Sequence, residues 1–127
     1  MILELTPDQE SLQETTGKFL SKEVPVGELR ARRDDADGFD RAYWRQGAEL
    51  GWTSLLVGEE HGGGSVSGRG LVDLTLIAYE FGRRAAPGPL AAANVAAAAL
   101  SGAGDRHGKV LEGVLEGTTL VTWALEE

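Results

Sequence analysis

The residues of this chain best suited to chemistry are Glu59, Glu60 and His61, which open a glycine-rich run ending at Gly70. Two carboxylates beside an imidazole could ligate a metal ion or share a proton. However, three adjacent residues on a regular element cannot all turn toward one ion, and the other histidine, His107, has no helical relation to them. The plainer reading is a polar turn whose glycines supply positive φ angles. Phosphate-binding loops fail on spacing. Gly108-Lys109 is followed by Val110 instead of Ser or Thr, and Ala103 stands where a Walker loop needs glycine. Gly68-x-Gly70 is followed by Asp73 where a dinucleotide fingerprint requires a third glycine. There is no cysteine, so no thiol nucleophile, disulfide or Cys-based zinc site is available. No pair of carboxylates isolated in apolar sequence offers general acid–base catalysis. No catalytic residue and no metal ligand is therefore assigned within the chain.

Any such side chains would have to be positioned by helices. Thr6-Pro7-Asp8-Gln9 is a helix start: Thr6 caps, Pro7 sits where no amide donor is needed, and Gln9 completes a capping box. The helix it opens carries Leu12, Thr16, Phe19 and Leu20 on one face and ends near Val24, before Pro25 and Gly27. Residues 28–38 are polar and charged, a short helix or an ordered loop. Asp40 caps a second long helix that stops at Gly51, with Trp44 and Trp52 expected in the packing. A third helix, from about Leu71 to Arg84, is apolar on most sides, which predicts a central, buried element. Within it, Glu80 is spaced to pair with Arg83 or Arg84 as a surface contact. Ala86-Pro87-Gly88-Pro89 breaks the chain, an alanine-rich helix follows over 90–100, and Asp105 is expected to cap a last helix ending at Gly117. Residues 118–125 are β-branched and aromatic, the composition of a strand. A lone strand has no partner here, so a following β domain is expected.

The totals agree with a soluble globular domain: 127 residues, 42% apolar and 25% charged. A net charge of −8 argues against nucleic-acid binding, which needs a basic face. The cluster Arg30, Arg32 and Arg33 is offset at once by Asp34, Asp35 and Asp37. Met1-Ile2-Leu3-Glu4 lacks the features of a signal peptide, and the Leu90–Leu100 run is far short of the ~20 residues that span a bilayer. A cytoplasmic location without a membrane span is expected.

The order of features resembles the amino-terminal domain of the acyl-CoA dehydrogenase family. It runs from the capped start at Thr6 through Leu50-Gly51-Trp52 and Leu56-Val57-Gly58-Glu59-Glu60-His61-Gly62-Gly63. Then come the Glu80 helix and Leu115-Glu116-Gly117 leading to Ala124-Leu125-Glu126-Glu127. The resemblance implies an all-α helical domain of about five helices over 1–117, with 118–127 beginning a middle β domain. It implies an FAD-dependent oxidoreductase that converts acyl-CoA to 2,3-enoyl-CoA, oligomeric, and reoxidised by electron-transfer flavoprotein or a similar acceptor. In such enzymes a glutamate base of the carboxy-terminal domain takes the α proton and the β hydrogen leaves as hydride, so this chain alone is expected to be inactive and to bind no FAD. The resemblance places Trp123, Leu125 and Glu126 at the flavin and Pro89, Leu90, Ala93 and Asn94 at the distal end of the acyl chain. Glu126 stands where threonine is usual, and Gly58 where proline is usual. A non-catalytic helical partner subunit of the same fold is the alternative.

Overall fold

The computed structural model describes residues 4–124. Helix α1, Pro7–Glu23, starts as the sequence dictates. Gln9 N–H donates to the Thr6 hydroxyl at 3.2 Å, and Thr6 N–H donates to Gln9 Oε1 at 3.0 Å. Two amides with no helical partner are thereby satisfied reciprocally. Helix α2, Val26–Ala31, is one short exposed turn within the charged stretch. Helix α3, Arg41–Glu49, is capped by Asp40, whose Oδ1 accepts from Ala42 N–H at 2.8 Å. Its end is set at Gly51, where φ is +92°, a conformation that strains any L side chain.

Helices α4 (Gly70–Arg84), α5 (Leu90–Gly102) and α6 (Gly108–Leu115) complete the set, with single 3-10 turns at Glu59–His61 and Gly104–His107. Among the described residues there are six α-helices and no strand, so the domain is all-α. None of the helices is long and apolar enough to cross a membrane.

Trp52 organises the main core. Its buried ring meets Phe19, Tyr43 and Phe81 edge-on at centroid distances of 5.4, 5.8 and 4.9 Å, the arrangement that aromatic quadrupoles favour. Its Nε1–H donates to the buried Thr16 hydroxyl of α1 at 3.4 Å. Gly47 of α3 lies flat against the same ring, where a Cβ would overlap it. A smaller core of Val57, Ala97, Leu111 and Val114 joins α5 to α6.

Four expectations change. Helix α4 is not buried on most sides: Leu71 is 70% exposed and Tyr79 57%, with Val72 also outward. The face it buries carries Ile77 and Phe81 together with Asp73 and Glu80. These two carboxylates find partners on α1, which orients α4 more strictly than its apolar pattern does. Glu80 is accordingly a buried residue and not a surface one. Asp105 lies inside a 3-10 turn and makes no capping bond, because α6 begins three residues later, at Gly108. Lastly, the segment after α6 takes no regular secondary structure over residues 118–124. Strand composition needs a partner ladder before it becomes a strand, and no described segment supplies one. Leu125, the last residue of the expected strand, lies outside the described residues.

Candidate functional site

The residues expected at the acyl chain sit at the start of α5. This start is fixed to α3 from two sides. Tyr43 Oη donates to the Pro87 carbonyl at 3.0 Å, and Gly88, at φ +125°, passes so close to the Trp44 ring that a Cβ would come within 2.9 Å. Pro89 is half-buried at the helix entrance. Leu90, Ala93 and Asn94 turn inward and are buried together, as their three- and four-residue spacing requires. Asn94 ties α5 to the central tryptophan: its Nδ2 donates to Trp52 O at 2.7 Å and to Leu90 O at 2.9 Å. Its Oδ1 is buried without a partner.

The outward side of α5 is formed by Ala91, Val95 and Ala99, one turn apart and exposed, flanked by the half-buried Ala92 and Ala98. No charged side chain occurs anywhere in this 13-residue helix. Alanine keeps such a helix formed without salt bridges, so its outer face can remain smooth and apolar. A surface of this kind suits an apolar neighbour approaching closely, and it offers no group for proton transfer.

Of the residues expected near a flavin, Trp123 is 46% exposed on the segment after α6, while Leu125 and Glu126 lie outside the described residues. That segment is held at its root. The amides of Thr118 and Thr119 both donate to Gly113 O at 2.9 Å, and Leu120 and Val121 pack against the two cores. The close packing leaves no room for a Cβ at Gly113 or Gly117.

The glycine-rich loop is also a built structure. An open groove of about 610 Å³ runs between it and the start of α4, lined by Leu55, Leu56, Val57, Leu71 and Val72 among others. Gly63 and Gly70 allow backbone against backbone: a Cβ on either would collide with the carbonyls of Val57 and Leu55. The amides that could cradle a phosphate are already engaged. His61 N–H and Gly63 N–H donate to Gly58 O, Gly62 N–H to Glu59 O, and Gly64 N–H to Ser54 O. Glu59 and Glu60 are exposed and His61 is half-buried on the 3-10 turn.

The sequence reading paired Glu80 with Arg83 or Arg84 but missed its burial, and it missed the role of Asp73 altogether. Asp73 accepts from Gln9 Nε2 at 3.0 Å, Ser67 Oγ at 2.7 Å, Ser65 Oγ at 2.8 Å and Ser67 N–H at 3.1 Å. Burial pushes its carboxyl up, but the bonds from Gln9, Ser67 and Ser65 outweigh it and hold the group below the ordinary carboxylate range. Glu80 pairs with Arg84 and lies 3.6 Å from Arg83, while Gln13 Nε2 donates to it at 3.1 Å. Signals existed for both: an acid within an apolar helical face, Ser65-x-Ser67 just upstream of Asp73, and arginine four residues after Glu80. Neither carboxylate is free to act as a general base, because their oxygens are already engaged.

The family model described as "Acyl-CoA dehydrogenase, N-terminal domain" matches residues 6–117. The chain belongs to the acyl-CoA dehydrogenase family. The matched span runs from the Thr6 cap to Gly117, which closes α6, and so takes in all six helices. Searches of the curated proteins and of the solved structures give no match. As an acyl-CoA dehydrogenase domain, the chain keeps the features that carried the resemblance, each with a structural role. Leu50-Gly51-Trp52 ends α3 and places the central ring, and Glu59 to Gly63 form the self-bonded turn. Membership makes the associated activity that of an oxidoreductase acting on acyl-CoA.

Proposed function

We propose that this chain is the amino-terminal helical domain of an FAD-dependent acyl-CoA dehydrogenase, oxidising acyl-CoA to 2,3-enoyl-CoA in the cytoplasm. In this reading α5 forms one wall of the acyl pocket. The observation that carries the proposal is the absence of charge along α5 combined with the exposed line Ala91, Val95 and Ala99. A saturated acyl chain gains by covering such a surface at roughly 25 cal/mol per Å² of apolar area removed from water. Leu90, Ala93 and Asn94 stand behind this wall and fix its position, with Pro89 at its edge near the distal end of the acyl group.

FAD, when bound, accepts the β hydrogen as hydride. The described residues fit the flavin at one edge only. Trp123 offers an exposed aromatic face, joined in the proposal by Leu125 and Glu126. The glycine-rich loop, with its amides engaged, is no cradle for the FAD phosphates. The base that takes the α proton belongs elsewhere in the enzyme, as do the contacts with electron-transfer flavoprotein or a similar acceptor.

A bulky residue on the wall tests the reading in the full enzyme. Val95→Trp is expected to lower kcat/KM for long acyl-CoA about tenfold while sparing short ones. Equal activity toward both, with the variant folded, would remove α5 from the pocket.

A second reading, a non-catalytic partner subunit, draws on Leu71, Val72 and Tyr79, which form an apolar outward patch on α4. In the enzyme the same patch serves oligomer contacts. Leu71→Glu with Tyr79→Lys is expected to dissociate the oligomer on sedimentation. An unchanged mass would exclude that face.

A further inference from the structure

The cleft between α1 and α4, on the side away from the glycine-rich loop, has no part in the proposed activity. Lys18, Ser21 and Lys22 share one face of α1 by three- and four-residue spacing, and Arg83 and Arg84 meet them from the end of α4. The lining holds four cations, Lys18, Lys22, Arg83 and Arg84, against two carboxylates, Glu14 and Glu80. That leaves a local surplus of two positive charges on a chain whose net charge is −8.

The geometry separates fixed parts from free ones. Arg84 is locked by its pair with the buried Glu80, and its Nε–H donates to Ser21 Oγ at 2.9 Å. Ser21 in turn donates to Gly17 O at 2.9 Å, leaving its oxygen a further lone pair toward the cleft. The Nη2 group of Arg84, which lies beside Gly17 of the same cleft, makes no hydrogen bond among the described residues, so its hydrogens alone remain to be met. The lysines are held only loosely. Lys18 pairs with Glu14 at 2.6 Å and Lys22 with Glu23 at 3.4 Å, with the lysine side chains 76% and 83% exposed. Exposed pairs of this kind contribute little and exchange readily. A rigid arginine, a hydroxyl and two mobile ammonium groups around one open groove form a receptor for a compact, doubly charged oxyanion. Glu14, through Lys18, and Glu23, through Lys22, are the carboxylates that compete for it.

We propose that this cleft binds a phosphoryl dianion through Lys18, Ser21, Lys22, Arg83 and Arg84, either as free phosphate or as the phosphate of a nucleotide. The site is independent of the acyl pocket, and its occupant would bridge α1 to α4 from outside.

The test is a titration of the full chain with inorganic phosphate, and separately with adenosine monophosphate, at constant ionic strength near neutral pH. Amide and arginine Nε–H resonances are followed by NMR. Saturable shifts at Ser21 and Arg84 are expected, with a dissociation constant on the order of a millimolar. Tighter binding of the nucleotide identifies a carried phosphate as the ligand, and equal or weaker binding identifies free phosphate. Lys18→Gln with Lys22→Gln, at exposed positions that leave the fold intact, is expected to weaken binding about tenfold, and Glu14→Gln to strengthen it about fivefold. Shifts that do not saturate with either ligand would overturn the assignment. So would affinities that neither charge change alters.

Discussion

Replacing Asp73 with asparagine tests whether the buried polar network, more than apolar contact, holds the glycine-rich loop to the helices. The Asp73 carboxylate receives four donors, from Gln9, Ser65 and twice from Ser67. An asparagine keeps one acceptor oxygen for two of them. Its amide can reverse the bond to the Ser65 hydroxyl, which also accepts, but it can only oppose the Ser67 backbone N–H. Three bonds thus fall from charged to neutral strength, a loss of roughly 1 kcal/mol each, and one buried donor is left unpaired at about 1–3 kcal/mol. Removing a buried charge returns part of this through relief of desolvation. The expected net loss is about 3 kcal/mol, a large share of the stability of an ordinary domain. Urea unfolding at neutral pH, followed by the fluorescence of buried Trp44 and Trp52, measures it directly. A loss below about 1 kcal/mol, with an unchanged slope, would show that the loop is held by its backbone packing and that the network is incidental.

Other expectations follow from the same contacts. Gly47→Ala drives a methyl into the fully buried Trp52 ring, which neighbouring rings hold in place. It should cost roughly 1–3 kcal/mol or more by overpacking, read from the urea midpoint, despite the better helix former. Gly82→Ala, in the exposed part of α4 with nothing within 4 Å of a new Cβ, should instead stabilise by about 0.5–1 kcal/mol. Failure of the two to differ in sign would contradict the packing described. Because Asp73 is held below its ordinary value of 3.8, the folded protein resists its protonation longer than the unfolded chain does. Its stabilisation is complete above that value and is lost as pH falls from there through the lower, folded one. Acid titration of stability should therefore bring the wild-type protein and Asp73→Asn together at low pH. A gap that stays constant would refute the linkage.

The parts of this fold legible in the sequence are those whose cause is local. Thr6 with Gln9, Asp40 before α3 and Gly51 after it each act within four residues, and the helix ends fall where they direct. The burial of α4 was not legible, because a helix rich in apolar residues does not reveal which side faces inward. That choice is made by Asp73 and Glu80, whose partners Gln9 and Gln13 lie more than sixty residues away in the chain. Residues 118–124 take no strand for a related reason, since β propensity is satisfied only by another strand. At the candidate site, spacing placed Leu90, Ala93 and Asn94 on one face, but nothing in the sequence showed that Trp52 would turn that face inward. The basic cleft divides in the same way: Lys18 and Lys22 are visible as one helical pair and Arg83 and Arg84 as another, while their meeting depends on the packing of α1 against α4.

The makeup of α5 separates two properties that most helices combine. Its helicity comes from alanine backbone preference and its attachment from inward contacts such as Asn94 to Trp52, so the outer positions 91, 95 and 99 contribute little through core packing. Their size can therefore vary with little consequence for folding. A change of one or two methylenes there would move the surface met by whatever lies against it while leaving the core untouched. Helix α5 thus acts as an adjustable spacer, a part whose dimensions can be altered through successive substitutions without any intermediate sequence losing the fold.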